Sequence, residues 1–347
     1  MTRHLYIHIP FCSSICWFCD FKRVINTDKN LHKNYLEEII KTLKNECFHK
    51  QFKTIYIGGG TPNLLSDDLM QYLLSNLKDY LDDDYEFSIE CNPEFITNSQ
   101  LNIMKNNKVN RISLGVQSFN DEILKKMHRT HTSQKAIEII NLIKENGFSN
   151  FSCDFIYNYP NMNISDLNDV FYYIKELKIP HVSFYALEIK ENAILNKFKY
   201  ELDLEQEELQ LIFIKKMFKK LKYKRYEISN WCINKNYYSK HNLAYWDYSD
   251  WKAIGLGAVG LENKENYEYK NKIDNWAKST NLLDDKTYYL NVLIMGLRKS
   301  QGIDLTIKRN KIAFEMYKEK LMNYKIINNH LIADNLDCLN DTIINLF

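Results

Sequence analysis

Six short apolar, β-branched runs, at residues 5–9, 54–57, 86–91, 111–116, 151–157 and 181–186, alternate with segments of helical period at 31–47, 67–80, 98–106, 134–145 and 165–177. Strands separated by whole helices cannot pair as hairpins, so the pattern calls for βα units and a parallel sheet. Thr97, followed three residues later by Gln100, fits a capping box at the third helix. In parallel α/β folds ligand groups gather at the C-terminal ends of the strands. Each run here ends in a polar or glycine motif: Ile9-Pro10-Phe11-Cys12, Gly58-Gly59-Gly60-Thr61-Pro62, Glu90-Cys91-Asn92-Pro93, Gly115-Val116-Gln117-Ser118, and Asp154 through Pro160.

The turn formers mark the same places. The chain has 10 Gly and 5 Pro in 347 residues, where average usage would give about 24 and 17. Gly58–Gly60 form one cluster and Gly255, Gly257 and Gly260 another, and all five prolines lie in the first 180 residues. Charge gives no such direction: 46 Lys+Arg against 44 Asp+Glu leave a net +2, which supplies no global attraction for nucleic acid. No apolar run approaches the roughly 18 residues needed to cross a bilayer, and no signal peptide is visible. The expected compartment is therefore the cytoplasm. Eight cysteines in such a chain read as reduced thiols, so a tight group of them points to metal binding or catalysis before disulfides.

After about residue 190 the alternation stops. We expect a barrel over residues 1–200, an extension with an aromatic-rich segment over 201–280, and a small, mainly helical C-terminal domain over 281–347, whose strand-like runs at 325–327 and 330–333 flank a hairpin turn at Asn328-Asn329 and suggest a winged-helix-like module. The basic face of the helix at 205–221 reads as solvated.

Cys12, Cys16 and Cys19 stand at C-x3-C-x2-C directly after the first strand. Three soft thiolates within eight residues suit zinc or an iron–sulfur cluster, and a three-ligand set leaves one metal position open for a small molecule. The other five cysteines lack such spacing and read as small buried hydrophobes.

The stretch Tyr6-Ile-His-Ile-Pro-Phe-Cys12-Ser-Ser-Ile-Cys16-Trp-Phe-Cys19-Asp-Phe21 resembles the opening of radical S-adenosylmethionine (SAM) enzymes, in the branch that contains oxygen-independent coproporphyrinogen III oxidase and the heme chaperones. Gly58-Gly-Gly-Thr-Pro62, Glu90-Cys-Asn-Pro-Glu94, Gly115-Val-Gln-Ser-Phe119, His128-Arg129-Thr-His131, Tyr226-Glu-Ile-Ser-Asn230, His241-Asn-Leu-Ala-Tyr-Trp246 and Gly296-Leu-Arg-Lys-Ser-Gln-Gly-Ile-Asp304 follow in the same order, so the resemblance covers nearly the whole chain. It implies an incomplete (β/α)6 barrel. It also implies a [4Fe-4S] cluster on Cys12, Cys16 and Cys19, with the amino and carboxylate groups of SAM on the fourth iron, and reductive cleavage of SAM to methionine and a 5′-deoxyadenosyl radical.

By position, the resemblance brings Tyr6 to the amino-acid end of SAM and Phe18 to the adenine. Gly59, Gly60 and Thr61 match the turn whose backbone approaches SAM, where a side chain would collide with the ligand. Glu90, Gln117, Arg129 and Asp154 match polar contacts to SAM, and Ala186 and Leu261 are looser matches near the same sites. Two features separate the branch members. The oxidase carries a further Cys two residues beyond the third ligand, where this chain has Phe21, and a long segment before the first strand, where this chain has four residues before Leu5. Both favour the chaperone side, HemW, whose relatives bind heme and are proposed to pass it to acceptor proteins. His241, beside Tyr245, Trp246 and Trp251, is the candidate axial ligand, against the alternative of a packed aromatic lid. Relatives carry a His after the second glycine motif, which Gly255-Leu-Gly-Ala-Val-Gly-Leu261 lacks. The implied partners are heme or porphyrin, an acceptor protein and an electron donor such as flavodoxin or ferredoxin. Coproporphyrinogen oxidation in porphyrin biosynthesis or another radical SAM reaction, and a non-catalytic zinc module, are the competing readings, and the chain is expected to act as monomer or dimer.

Overall fold

The computed structural model describes residues 2–346. Six parallel strands lie side by side in chain order: β1 (His4–Ile9), β2 (Phe52–Gly59), β3 (Leu81–Cys91), β4 (Arg111–Gln117), β5 (Phe151–Tyr157) and β6 (His181–Ala186). Between them run α1 (Lys29–Glu46), α2 (Asp67–Leu77), α3 (Asn98–Asn106), α4 (Asp121–Lys126), α5 (Ser133–Glu145) and α6 (Ile164–Glu176). Parallel crossovers are right-handed, so a strand order that never reverses puts every helix on one face of the sheet. The bare face must then curl inward, which makes a barrel rather than a doubly wound sheet.

The remaining elements extend this arc. After α7 (Ile194–Lys197) and α8 (Leu204–Lys220), the short strands β7 (Lys224–Arg225) and β8 (Asn230–Cys232) add antiparallel beyond β6. Following α9 (Lys240–Trp246), β9 (Lys252–Ile254) adds parallel to the outer edge of β1. Among the described residues the two edge strands, β7 and β9, do not pair with each other. A three-stranded meander follows, β10 (Val259–Glu262), β11 (Glu265–Lys272) and β12 (Asn275–Leu282).

The chain ends in α10 (Asp285–Gly296), β13 (Ile303–Asp304), α11 (Lys308–Tyr317), β14 (Tyr324–Ile327), β15 (His330–Ala333) and α12 (Leu339–Ile343). Its three strands form a small sheet whose hairpin turns at Asn328 and Asn329, both at positive φ as the sequence suggested. Leu293, Leu297, Ile303 and Leu331 centre a second core that reaches back to Tyr248 and Leu261. Lys215 of the basic helix α8 and Arg225 both pair with Asp337, so part of that face docks the C-terminal segment.

The main core lies between helices and sheet. Leu5, Ile7 and Ile9 of β1 and Ile55 and Ile57 of β2 pack under Leu36, Ile39, Ile40 and Leu43 of α1. Each such side chain contributes about 1.5–3 kcal/mol on burial. Helix starts are fixed locally. Asn163 and Asp166 form a full capping box on α6, whereas Thr97 supplies half of one on α3: its hydroxyl accepts from the Gln100 N–H, but the Gln100 amide donates to the Asn63 and Leu65 carbonyls. Cys47, Cys91, Cys153 and Cys232 are buried as expected; Cys338 is exposed.

Candidate functional site: a polar bore beneath a cysteine loop

Along each barrel strand the residues between the buried apolar ones point the other way, and they are polar. Tyr56 alternates with Ile55 and Ile57, Glu90 with Ile89 and Cys91, Arg111 and Ser113 with Ile112 and Leu114, Asp154 with Cys153 and Phe155, and His181, Ser183 and Tyr185 with Val182 and Phe184. The register aligns them into layers: Ser113 with Ser152 and His181, and Gly115 with Asp154 and Ser183. Together they line a cavity of about 330 Å³, which runs from the cysteine loop at the strand C-termini to Ser239 and Asn242 at the base. That volume is in the range of small-molecule sites. A hydrogen-bonded chain lines its wall. The Ser239 N–H donates to the Tyr226 hydroxyl (3.1 Å), which meets His181 Nε2 (2.9 Å). His181 Nδ1 meets Ser152 Oγ (3.0 Å), and Ser152 donates to Asp154 (2.9 Å).

Cys12, Cys16 and Cys19 all line the mouth of this cavity as free thiols. Thr61 Oγ1 donates to Cys12 Sγ (3.7 Å) and Arg129 Nη1 to Cys16 Sγ (3.3 Å), contacts that favour thiolates. Burial opposes this, raising the Cys12 thiol and pushing Cys19 up to about 11. A bound cationic centre would offset that cost, because a metal is ligated by thiolates. Among the described residues no three His, Cys, Asp or Glu side chains are drawn together tightly enough to hold a metal ion.

Phe18, Gly59, Gly60, Thr61, Glu90, Gln117, Arg129, Asp154 and Ala186 line the same cavity. The glycine turn is forced by the protein itself before any ligand arrives. Gly59 sits at φ +115°, and a Cβ there would meet the His8 ring at 2.7 Å; on Gly60 it would meet the Phe11 carbonyl oxygen at 2.7 Å. Glu90 accepts from the Tyr56 hydroxyl (2.8 Å) and the Gly59 N–H (3.1 Å), yet burial and then the nearby Asp154 raise its carboxyl to about 7. Asp154, also raised by burial, accepts from Ser113 and Ser152. Two acids in one low-dielectric bore favour a cationic guest. The Arg129 side chain is buried and donates to Asn92 Oδ1 and the Gly115 carbonyl, both at 2.8 Å, while its Nε has no partner. Burial alone would raise Glu94, but His131 and Arg129 beside it hold that carboxyl at about 2.

Three expected residues stand elsewhere. Tyr6 lies one layer back, its hydroxyl on His8 Nδ1 (2.9 Å) and its ring stacked on Tyr56. Leu261 is in β10, buried in the C-terminal core with its backbone bonded to Trp251, so it cannot reach the bore; of the second glycine motif, Gly255 and Gly257 are what approach the mouth, beside His8 and Lys22. His241, the candidate axial ligand, stands at the floor of the barrel and not at its mouth. It is 1% exposed, with Nδ1 on Thr54 Oγ1 (2.7 Å) and Nε2 on the Tyr245 hydroxyl (2.9 Å), so neither nitrogen is free. Burial lowers its pKa to about 3. The helix that carries it, α9, closes the floor of the barrel, where the Lys240 and His241 N–H groups donate to Glu86. It is not a lid over the mouth.

Sequence reasoning passed over Tyr56, Ser113, His181, Ser183 and Arg111 because they interrupt runs read as apolar. The period of two in those runs was the signal that could have found them.

Comparison with known proteins agrees with this architecture. Residues 6–174 match the radical SAM superfamily model. The described structure superposes on coproporphyrinogen III oxidase from Escherichia coli, a radical SAM enzyme, with a TM-score of 0.81 at 17% identity, covering 99% of this chain and 89% of that one. Fold and cysteine loop therefore define a radical SAM protein. Within that class the chain is 33% identical over 345 residues to the heme chaperone HemW of Lactococcus lactis, covering 93% of this chain and 90% of the relative. It is also 35% identical over 264 residues to the HemW of Escherichia coli, covering 74% and 69%. The chain belongs to the HemW family.

Proposed function

We propose that this protein holds a [4Fe-4S] cluster on Cys12, Cys16 and Cys19, binds SAM in the bore, and binds heme for transfer to an acceptor protein in the cytoplasm. The observation that carries the reading is the convergence on one cavity of three thiols, two half-buried acids and an arginine with an unpartnered Nε. A guest bearing both a cation and a carboxylate, as SAM does, complements that set. Glu90 and Asp154 would hold the cationic groups and Arg129 Nε the carboxylate, with Phe18 against the adenine and Gly59, Gly60, Thr61, Gln117 and Ala186 shaping the wall. The cluster, when bound, supplies one-electron reduction, for which a flavodoxin or ferredoxin is the fitting donor. The chain's own part is to bind, to orient, and to keep water from the reduced site. Among the described residues no helix is long and apolar enough to cross a membrane.

The oxidase reading is the weaker one. The position of its further cysteine is Phe21, which lines the cavity and is 63% exposed. The test is anaerobic reconstitution followed by iron and acid-labile sulfide analysis, SAM binding, and assay with coproporphyrinogen III. We expect iron and sulfide near four of each per chain, lost in the Cys12→Ala, Cys16→Ala, Cys19→Ala triple variant, and no protoporphyrinogen. Zinc without sulfide overturns the cluster, and porphyrinogen turnover overturns the chaperone reading.

A further inference from the structure

Arg129, Glu90 and Asp154 serve the upper part of the bore, and its base carries a charge that none of them pairs with. Arg111 opens β4 and lines the cavity, yet its residue is only 2% exposed. Its Nη1 donates to Asn150 Oδ1 (2.7 Å) and to the Tyr237 carbonyl (2.9 Å). A guanidinium has five N–H groups. Among the described residues no acceptor meets its Nε or Nη2 and no carboxylate forms an ion pair with it. A buried cation without a counter-charge is costly, so an unpaired one on a cavity wall points to an anion that enters from the cavity.

The strand beside Arg111 supplies a second open group. Ser88 of β3 stands in register with Tyr56 on one side and Arg111 on the other, so its side chain faces the barrel interior as theirs do. It is fully buried, and its Oγ has no hydrogen-bond partner. Buried hydroxyls are nearly always bonded, so one left open next to an unpaired guanidinium marks a place for an acceptor. Ser239, before α9, and Asn242, within it, line the cavity at the same end. The Ser239 Oγ accepts from the Asn242 N–H (3.3 Å), which leaves its own proton to donate. The base is thus rich in donors, whereas Glu90 and Asp154 above it are acceptors.

We propose that the base of the bore is a second binding site, in which the Arg111 guanidinium, helped by the Ser88 hydroxyl and the Asn242 amide, takes the carboxylate of a small monoanionic guest. The Nε and Nη2 edge presents parallel N–H groups that match the two oxygens of a carboxylate. Glu90 and Asp154 lie between this site and the mouth, and their negative charge disfavours a dianion such as phosphate. Because α9 closes the floor, a guest anchored there by its carboxylate extends its other end up the bore toward the cysteine loop. The site rests on its own residues; that it lies beneath a first guest rests on the SAM reading above.

The experiment is titration of the reconstituted full-length protein with acetate, propionate and butyrate at fixed ionic strength, read by ligand-observed NMR with and without saturating SAM. Inorganic phosphate is the comparison anion, and the variants are Arg111→Gln and Ser88→Ala. We expect saturable binding of at least one carboxylate to the wild type, unchanged by SAM. Arg111→Gln should weaken it by roughly tenfold or more, and Ser88→Ala by roughly threefold or more. Ser88→Ala strips a buried hydroxyl that has no partner, so without carboxylate it should melt no lower than the wild type. Its weaker binding then cannot come from unfolding, and it decides the matter alone where Arg111→Gln fails to fold. A wild type without saturable binding overturns the proposal, as do phosphate binding as tight as that of the carboxylates and equal titrations of wild type and Ser88→Ala. Displacement of the carboxylate by SAM also overturns it, because the anion then sits on Arg129. Carboxylate uptake by a protein that does not bind SAM upholds the lower site and removes the SAM reading instead.

Discussion

Glu90 carries the sharpest test of the bore as a cation site. Burial and then Asp154 raise its carboxyl from 4.5 to about 7, against the hydrogen bonds from Tyr56 and Gly59 that favour ionisation. A cationic guest requires the ionised form, so binding near this value should release a proton. With a pKa of about 7 the carboxylate fraction changes about tenfold between pH 8 and pH 6, or roughly 1.4 kcal/mol. SAM affinity should therefore fall about tenfold over that interval. In Glu90→Gln protein the dependence should vanish apart from titration of the ligand's own amine, which both proteins share and which cancels in the comparison. Calorimetry in two buffers of different ionisation enthalpy counts the proton directly. The free protein gives a second reading of the same group. A carboxyl raised in the folded state contributes stability that is fully present below pH 4.5 and is lost as pH rises to about 7. The full shift corresponds to about 3 kcal/mol, an upper limit. Urea unfolding at pH 8 should find Glu90→Gln more stable than wild type, and at pH 4 should find little difference. Parallel pH profiles for SAM binding in the two proteins would refute the reasoning.

Other changes test neighbouring claims. His241→Ala strands the Tyr245 hydroxyl, leaves the Thr54 hydroxyl with His4 alone and opens a cavity in the floor, and should cost about 2–4 kcal/mol in urea unfolding. Glu227, buried beside Asn230 and Trp246, is raised by burial to about 7, so Glu227→Gln should stabilise the protein above pH 7 and not below pH 4.5, as read by thermal unfolding across pH. Gly60→Ala forces a methyl against the Phe11 carbonyl one residue from Cys12 and should destabilise by roughly 1–3 kcal/mol. Its sulfide content after reconstitution should fall further than its melting temperature accounts for.

Much of the architecture was legible in the chain. The six runs fall within β1 to β6, and the cysteine spacing marked the loop that sits over the bore. What escaped detection did so for identifiable reasons. Strand β9 is three residues long, and its pairing with β1 spans most of the chain, which no local pattern records. The β11–β12 hairpin buries Tyr267 and Tyr269 in a stretch of otherwise charged and polar residues, too sparse to read as alternation. His241 looked like a ligand because it stands among aromatics. Whether its nitrogens were free depended on Thr54, which lies 187 positions away. Leu261 follows the glycine motif in sequence but leaves the mouth with β10.

The alternation along the barrel strands has a consequence for redesign. Alternate positions carry different loads: one set meets the helices and holds the fold, the other lines the chamber. Substitutions at Ser113 or Ser183 can remodel what the chamber accepts while the helix-facing set is untouched. A library confined to those positions should retain a high fraction of folded members, which makes this barrel a tolerant scaffold for exchanging one ligand chemistry for another.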